Sequence, residues 1–368
     1  MHTTFQFLVL MLVLAESGQA AEALPMKLEP LPREAPAPAD NPTTPEKAAL
    51  GRLLFFDPVL SATQTVACST CHHPEHGWAD GRATPVGVGG SGQGTARRRV
   101  HGGEIKALLR NVPTLINVGF NGLISGEHSD PAAAPMFWDA RVQGLEAQVL
   151  KPLQSAEEMR GTADLEADAL PGAVKRLQAI PAYRAKFART FGDVTAKHLA
   201  QALAAFERTL VAADSPFDRY MRGDRAAMSN QPLRGMETFQ RAGCNYCHGG
   251  PMFSDFKLHF IGAGDERREF RTPSLRNLRL TAPYMHDGSQ RALKDVLVFY
   301  EQLMDEVSET VDGGDTSASP PLDPLLKHLG FRVEDEADLL AFLEALNDEG
   351  YDRSAPEAVP SGLKVGGE

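Results

Sequence analysis

Apolar side chains recur at intervals of three or four positions wherever the hydrophobic pattern of the chain is clear. Two stretches show this best, with apolar residues at 199, 203, 206 and 210 and at 339, 342, 343 and 346. This spacing is typical of an α-helix with one buried face, and Thr195 stands where the first helix needs an N-cap. Patterns typical of strands are scarce. Gly and Pro mark long loops at 84–95 and 307–324, so we predict a mainly α protein with long loops.

The amino terminus begins with an apolar run at 5–14, followed by the small-residue sequence Gly18-Gln-Ala-Ala21. This order is typical of a secretory signal peptide, which we predict over residues 1–20. The alternative is an uncleaved anchor, because neither Lys nor Arg precedes the run. No later apolar run approaches the ~18 residues of a membrane span. Residues 21–45 are rich in Pro and Ala, which predicts an extended linker or strap outside the core.

Five sequence features occur twice in the same order, which indicates a duplicated module. The first copies are GRLLF at 51–55, CSTCH at 68–72, VPTLIN at 112–117, FWDAR at 137–141 and Leu145. The second copies are GMETF at 235–239, CNYCH at 244–248, TPSLRN at 272–277, YMHDG at 284–288 and Leu293. We predict an N-terminal domain over 46–225, a C-terminal domain over 226–350 and a flexible tail over 351–368.

The composition is that of a globular protein long enough for two domains. The 368 residues are 42% hydrophobic and 23% charged, which excludes a disordered chain or a protein with many membrane spans. Acidic residues outnumber basic ones by 48 to 37, and the formal net charge is −11. This balance argues against nucleic acid as a partner and favours a positively charged one.

All four cysteines lie in two Cys-x-x-Cys-His motifs. This motif is the attachment site of c-type haem, where two cysteines form thioethers with the porphyrin and the histidine binds iron. A thioredoxin-like pair needs no such histidine, and a four-cysteine zinc site rarely joins pairs so distant in sequence. We therefore predict two covalent haems and no disulfide. The predicted attachment residues are Cys68, Cys71, His72, Cys244, Cys247 and His248.

The group opposite each predicted proximal ligand, His72 or His248, separates an electron carrier from an enzyme. A carrier fills both axial positions of the iron, whereas peroxide chemistry needs an open position. His73 and His76 lie too close to His72 in sequence to reach the opposite face of the same haem. The motifs alone leave both classes of protein open.

The sequence resembles the bacterial di-haem cytochrome c peroxidases and their relatives of the MauG type. The resemblance extends over 48–347. Besides both haem motifs, it is carried by LLFFD at 53–57, FWDAR at 137–141 followed by Leu145-Glu146, and TAPYMHDG at 281–288. It implies two tandem cytochrome c-like domains. In that arrangement the first haem reacts with hydrogen peroxide and the second transfers electrons.

The resemblance also implies roles for single residues. Glu146 matches the acid that moves a proton between the peroxide oxygens, chemistry that suits a carboxylate beside a haem. The second module has Lys294 at the equivalent position. Asn111, Thr281 and Pro283 match positions that bind calcium between the haems, and their oxygen atoms suit a hard cation. The simpler alternatives are that Glu146 is a solvated helix residue and that Asn111 only caps a turn.

Around the first haem, two positions depart from many family members. Val88 stands where a histidine closes the resting peroxide site, which implies an open first haem as in MauG-type proteins. His101 and His128 lie in an inserted segment and are rival ligands. Met136 stands where the family usually has a glutamine, and its thioether donates no hydrogen bond to peroxide.

Around the second haem, Tyr300 stands where many family members have a methionine ligand. The resemblance implies tyrosine ligation as in MauG-like proteins, with Met304 and Met285 as rival ligands. The alternative is a tyrosine that only packs in the core. For an electron relay between the haems the chain offers Trp78 and Trp138, its two tryptophans.

The leading hypothesis is a periplasmic di-haem peroxidase that receives electrons from a small cytochrome c or cupredoxin. A MauG-like enzyme would instead use the oxidising power of peroxide to modify Trp or Tyr residues of a partner protein. The alternative from another class is a non-catalytic di-haem electron carrier. It requires a strong distal ligand at the first haem, which the sequence does not provide at an identified position.

Overall fold

Helices dominate the fold of the computed structural model, which describes residues 23–100, 105–126, 129–162, 164–263, 268–311 and 321–368. The α-helices are α1 (Pro45–Phe56), α2 (Cys68–Cys71), α3 (Leu145–Gln148), α4 (Lys151–Gln154), α5 (Glu166–Ala179), α6 (Pro181–Thr190), α7 (Ala196–Glu207), α8 (Pro216–Met221), α9 (Asn230–Arg241), α10 (Leu293–Val311) and α11 (Glu336–Glu344). The predicted mainly α class is confirmed. None of the described helices is both long enough and apolar enough to cross a membrane.

In the described residues, the β-strands form three antiparallel pairs of two-residue strands, and the remaining β-structure consists of isolated bridges. The pairs are β1 (Gly90–Ser91) with β2 (Arg98–Arg99), β3 (Pro135–Met136) with β4 (Val142–Gln143), and β5 (Leu258–His259) with β6 (Phe270–Arg271). In the second pair Met136 lies opposite Val142, so the FWDAR motif at 137–141 forms the loop of a hairpin. The hairpin therefore fixes the position of this motif.

Two pairs of helices cross with their backbones in contact. α1 crosses α7 at Gly51, where an added Cβ would overlap the carbonyl oxygen of Ala202. α9 crosses α11 at Gly235, where an added Cβ would overlap the carbonyl oxygen of Asp338. Both glycines are needed because any side chain would force the helices apart. The first feature of the sequence repeat thus produces the same helix crossing twice.

Each helix crossing has its own hydrophobic cluster. The first cluster includes the buried residues Leu54, Phe55, Trp78, Leu203 and Phe206. The second includes Phe217, Phe239, Phe253, Phe342 and Leu346. Thr195 caps α7 as predicted, because its hydroxyl oxygen accepts a hydrogen bond from the backbone N–H of His198 at 3.1 Å. The periodic apolar residues of α7 and α11 face these clusters.

Helix α8 packs with the second cluster although it precedes the predicted domain boundary at residue 225. The ring centroid of Phe217 lies 5.1 Å from that of Phe253. The N–H of Phe217 donates to the carbonyl oxygen of Ala345 at 3.0 Å. Side chains at 221–226 are exposed. By packing, α8 therefore belongs with the second half, while the polar loop that suggested the boundary follows it.

The N-terminal strap, residues 23–44, is non-helical; its start packs on the second half of the chain, and Asn41 near its end donates to Glu146 and to the carbonyl oxygen of Gln201 in the first half. Leu28 and Leu31 are buried, which corrects the prediction that this segment lies outside the core. Met26 donates a backbone hydrogen bond to the carbonyl oxygen of Asn245 at 2.8 Å. A segment rich in proline forms no helix here, yet its leucines still bury apolar surface. The predicted signal peptide at 1–20 lies outside the described residues.

The C-terminal tail, residues 351–368, folds back onto the first half of the molecule. Tyr351 and Val359 are buried in the first cluster. The N–H of Gly366 donates to the carbonyl oxygen of Phe56 at 2.8 Å, and that of Glu368 to Thr65 at 3.0 Å. The segment predicted as a flexible tail is thus packed against the first half through these contacts. Backbone hydrogen bonds and a few apolar anchors order a segment whose composition has no helical or strand period.

A buried ion pair connects the strap, α8 and the loop that follows β6. Asp218 accepts hydrogen bonds from the N–H of Leu31 at 2.8 Å and from the two terminal nitrogens of Arg276 at 2.8 and 3.0 Å. The exposed fractions of the Arg276 and Asp218 side chains are 1% and 0%. Burial opposes ionisation of Asp218, but Arg276 and the hydroxyl of Ser215 hold its pKa below the usual range.

Replacing Asp218 by Ala should lower the free energy of unfolding by about 3–5 kcal/mol, because it leaves the Arg276 charge buried without its partner. Urea denaturation followed by circular dichroism measures this change. The stabilisation that Asp218 provides is complete at pH values above the usual pKa range of aspartate. It is lost as the pH falls through the lowered pKa of Asp218. Arg33→Ala breaks an exposed pair with Asp214 and is the control. Equal effects of the two variants would contradict a dominant role for the buried pair.

Candidate active site

Both Cys-x-x-Cys-His motifs face one cavity of about 510 Å³. Its lining includes the residues of both motifs that were predicted to hold haem, Cys68, Cys71, His72, Cys244, Cys247 and His248. Further apolar walls come from the FWDAR hairpin, from α10 and from the loops after β6. The fold therefore brings together two motifs that lie in different halves of the sequence.

His72 follows α2 and is oriented by a backbone carbonyl. Its Nδ1 lies 3.0 Å from the carbonyl oxygen of Trp78, and since a carbonyl only accepts, Nδ1 carries the proton. The proton-free Nε2 is the atom that a metal binds. Burial lowers the pKa of His72 to about 4, which keeps the imidazole neutral. The side chain is thus held in the tautomer and charge state that iron ligation requires.

His248 repeats this arrangement in the second half. Its Nδ1 lies 3.1 Å from the carbonyl oxygen of Phe253, and burial lowers its pKa. Trp78 and Phe253 both adopt the left-handed backbone region, with φ of 55° and 53°. This conformation turns each carbonyl back towards its histidine. The sequence identified the two ligands but not these carbonyls, because a backbone acceptor leaves no residue-type signal.

The four thiols are free, and burial raises the pKa of Cys71 and Cys244 to about 12. Among the described residues, the two cysteine pairs do not meet in a common metal-binding group; Cys247 approaches Asp255 and His259 instead. A zinc site that combines both pairs is therefore contradicted. Neutral thiols around an apolar cavity, each pair followed by an oriented neutral histidine, fit the attachment of c-type haem.

Glu146, the predicted proton-transfer residue, lies in the first turn of α3 next to the cavity wall and is absent from its lining. Its carboxylate pairs with Arg208 and accepts a hydrogen bond from the side-chain amide of Asn41 at 2.7 Å. The side chain of Glu146 is 25% exposed, whereas that of Arg208 is 1% exposed. Glu146 therefore connects a buried cation with solvent.

Two departures from the family pattern are both buried. Val88 is 3% exposed, and its N–H donates to the carbonyl oxygen of Glu158 at 2.9 Å. Met136 is 2% exposed and lines the cavity, where its sulfur accepts a hydrogen bond from Asn121 at 3.5 Å. The rival ligands His101 and His128 lie outside the described residues.

Glu207 is a cavity residue that the sequence analysis missed. It ends α7, is 5% exposed, and has no hydrogen-bond partner within the described chain for its Oε2 atom. Burial raises its pKa to about 8, with Arg208 opposing and Glu146 adding to the shift. A glutamate at the end of an amphipathic helix ordinarily faces solvent, so its residue type gave no signal.

His259 and Arg271 are two further buried cations on the cavity that sequence motifs did not reveal. His259 lies between Asp255 at 3.0 Å and Asp323 at 2.7 Å. Although burial opposes its charge, Asp255, the thiol of Cys247 and Asp323 together raise the pKa of His259 to about 11. Burial lowers the pKa of Arg271 to about 10. The two carboxylates balance the charge of His259, whereas the Arg271 side chain donates to the backbone carbonyl of Phe137 at 2.9 Å, so Arg271 is the buried cation that suits an acidic group of a cofactor.

Of the three candidate ligands for the second haem, Tyr300 and Met285 line the cavity and Met304 is absent from its lining. Tyr300 lies on α10, and burial together with the nearby Cys247 and Cys244 raises the pKa of its phenol. A neutral phenol at this place needs a cation such as iron to become a phenolate.

The predicted calcium residues Asn111, Thr281 and Pro283 all line the same cavity. The side-chain nitrogen of Asn111 donates to the carbonyl oxygen of Arg82 at 2.8 Å, which leaves its amide oxygen available as a ligand. The backbone carbonyl of Asn111 accepts a hydrogen bond from the indole nitrogen of Trp138 at 2.9 Å. All three residues thus lie on the lining of the same cavity.

The two tryptophans differ in position. Trp138 lines the cavity. Trp78 is fully buried in an aromatic cluster, 5.5 Å from Phe55 and 5.7 Å from Phe206 between ring centroids, and is absent from the cavity lining. Its indole nitrogen donates to the carbonyl oxygen of Asp352 in the tail at 2.9 Å. Trp78 therefore acts on the site through the carbonyl that orients His72.

The comparisons with known proteins agree with this geometry. The sequence model described as di-haem cytochrome c peroxidase matches residues 45–226. The methylamine utilization protein MauG of Methylorubrum extorquens is 36% identical over 338 residues, covering 86% of this chain and 83% of the relative. The cytochrome c551 peroxidase of Pseudomonas aeruginosa is 32% identical over 306 residues, covering 77% and 80% of the two chains.

Among solved structures, a MauG-like protein associated with microbial copper homeostasis is similar, with a TM-score of 0.65 and 28% identity. The alignment covers 91% of this chain and 96% of that chain. The chain therefore belongs to the di-haem cytochrome c peroxidase family. It is an oxidoreductase with two c-type haems.

Replacing Cys244 and Cys247 together by Ala should leave one covalent haem per chain instead of two, because the second motif then has no thiol to form a thioether. Intact mass and the absorbance of the pyridine haemochrome count the haems. Cys68→Ala with Cys71→Ala is the matched control and should give the same count. Two covalent haems in either variant would contradict the assignment of the motifs.

Proposed function

We propose that the chain is a periplasmic peroxidase that reduces hydrogen peroxide at the haem of His72, with electrons that pass through the haem of His248. The single observation that carries this proposal is the cavity that both motifs line, since it gives electrons a short path between the two haems. Membership of the di-haem cytochrome c peroxidase family favours an enzyme over an electron carrier. The periplasmic location rests on the predicted signal peptide at 1–20.

Reduction of one hydrogen peroxide to two waters consumes two electrons and two protons. The bound haem supplies the iron chemistry that breaks the O–O bond. Glu146 takes the proton from one peroxide oxygen and returns it to the other. Arg208 holds its carboxylate in place, and its 25% exposure lets it exchange protons with solvent.

Tyr300 is the proposed ligand of the second haem, because it lies on the cavity wall beside Cys244 and Cys247. A phenolate donates charge to iron and stabilises its oxidised states. Met285 is the remaining rival on the cavity wall. Trp138 is the proposed relay, and Asn111, Thr281 and Pro283 are proposed to hold a calcium ion through oxygen atoms.

The electron donor of this peroxidase is a small cytochrome c or cupredoxin with a positively charged docking face. The formal net charge of −11 favours such a partner, because opposite charges accelerate the encounter of the two proteins. The haem propionates add further negative charge to the chain.

A second candidate function is the oxidative modification of Trp or Tyr residues in a partner protein. Two observations favour it: Tyr300 lies at the cavity, and the buried Val88 offers no ligand that closes the first haem. Two relatives named methylamine utilization protein MauG, from Methylorubrum extorquens and Methylophilus methylotrophus, are 36% and 33% identical to this chain.

Glu146→Gln should lower kcat/KM for hydrogen peroxide by about 100- to 10,000-fold, since the amide accepts no proton at neutral pH. The haem content should stay unchanged. Steady-state turnover with a reduced cytochrome c measures the effect. Glu157→Gln, at a glutamate whose carboxylate accepts a hydrogen bond from Ser155 and not from Arg208, is the control and should retain turnover. Full activity of the Glu146 variant would contradict its proposed role.

Tyr300→Phe should change the optical and electron paramagnetic resonance spectra of the second haem, because it removes the proposed ligand atom. Met285→Leu and Met304→Leu should leave those spectra unchanged. The result that contradicts tyrosine ligation is a resting spectrum that is wholly low-spin, carries a methionine-to-iron band and is altered by a methionine variant alone.

Stoichiometric peroxide added without an electron donor separates the two candidate functions. Rapid decay of the oxidised haems supports a conventional peroxidase. A long-lived state in which both haems share the two oxidising equivalents supports modification of a partner protein. A chain that does not react with peroxide at all contradicts both.

A further inference from the structure

We propose that Glu207 takes up one proton when the first haem is reduced and releases it when that haem is oxidised. Glu207 is then a redox-linked group of the first haem, distinct from the proton transfer proposed for Glu146. The inference rests on haem binding at the first motif and does not depend on peroxidase activity.

The position of Glu207 supports this assignment. Its side chain lines the cavity together with Cys68 and His72. It is 5% exposed, and its Oε2 atom has no hydrogen-bond partner among the described residues. A buried carboxylate without a partner is costly, so a change of charge nearby acts strongly on its protonation. Burial also raises its pKa to about 8.

The duplicated helix crossing provides an internal comparison. Gly51 packs on Ala202 in the first crossing, and Gly235 packs on Asp338 in the second. Counting five residues onward from Ala202 and from Asp338 gives Glu207 and Leu343, and both side chains line the cavity. The second half therefore has a hydrocarbon at the position where the first half has a carboxyl group. Only the first haem is expected to be coupled to a proton at this position.

The charged neighbours of Glu207 leave it without a dedicated cation. Arg208 follows it on α7, but its Nη2 pairs with Glu146 of α3, and its Nε and Nη1 atoms have no partner in the described chain. Arg208 is therefore the charged neighbour of two carboxyl groups, but its guanidinium pairs with Glu146 and not with Glu207. The other charged residues on the helices packed against α7 are Glu46, Lys47 and Arg52 of α1 and Glu166, Asp168, Lys175 and Arg176 of α5. Glu158 of the 156–160 turn lines the same cavity.

The coupling follows from charge balance. Oxidised iron and the Glu207 carboxylate, together with one electron and one proton, give reduced iron and the neutral acid. Reduction removes one positive charge from the low-dielectric cavity, so the affinity of Glu207 for a proton rises. The proton comes from solvent by way of Glu146, whose side chain is 25% exposed and shares Arg208 with Glu207.

The test is spectroelectrochemical titration of both haems in the holoprotein between about pH 6 and about pH 10. The reduction potential of the first haem should fall as the pH rises, and the slope should approach about 59 mV per pH unit. A tenfold change in proton activity corresponds to that shift for a one-electron couple. Glu207→Gln keeps the shape of the neutral acid and should flatten this slope. Glu207→Leu, which introduces the residue type of the second half, should do the same.

Glu157→Gln is the control, at a glutamate that is absent from the cavity lining and whose carboxylate accepts a hydrogen bond from the hydroxyl of Ser155 at 3.3 Å. This variant should keep the slope of the wild type. Glu158 also lines the cavity, and burial raises its pKa although Arg141 and Ser155 oppose the shift, so Glu158→Gln tests the rival carboxyl group. An unchanged slope in Glu207→Gln, or a slope lost only in Glu158→Gln, overturns the proposal.

Redox-difference infrared spectra provide a second readout that does not depend on the potentials. A protonated carboxyl band should appear on reduction of the wild type and be absent from Glu207→Gln. Persistence of the band in that variant also overturns the proposal. Peroxide turnover measured in parallel separates this proposal from the proposed function. Turnover without a pH-dependent potential contradicts only the role of Glu207. A pH-dependent potential without turnover contradicts only the peroxidase.

Discussion

The close contact of two helix backbones is the constraint on which this molecule depends. At Gly51 and again at Gly235, one helix lies against the carbonyl oxygen of another, and no side chain fits between them. These contacts set the distance between helices and so define the walls on which each Cys-x-x-Cys-His motif lies. The hydrogen bonds of His72 and His248 then orient the ligands within a frame that is already fixed.

The two copies of this pair of crossed helices differ at the residues that are proposed to carry out the function. Glu207 replaces the hydrocarbon of Leu343, and Glu146 stands where the second module has Lys294. Conversely, the second half places Tyr300 and the positively charged His259 on the cavity. The same scaffold therefore places a buried carboxyl group on the cavity beside the first motif and a phenol with buried cationic side chains beside the second, so the two haem motifs have different electrostatic surroundings.

Sequence reasoning succeeded where chemistry demands particular residues at a set spacing. Thioether attachment and iron ligation leave a strong signal at the two motifs, and helical periodicity predicted α7 and its cap at Thr195. It failed where contacts are made by backbone or by ordinary residue types in unexpected places. The carbonyls of Trp78 and Phe253, the buried Glu207 and the ordered tail all depend on tertiary packing, which the local pattern does not encode.

Each end segment of the described chain has apolar anchors in the opposite half of the molecule. The strap that precedes the first module buries Leu28 in the second cluster, and the tail that follows the second module buries Tyr351 and Val359 in the first. Each half is thus completed by a segment from the opposite end of the sequence. The hydrophobic core around the first haem motif therefore stays incomplete until the segment with Tyr351 and Val359 is in place, so the first module cannot finish folding before the second has been made.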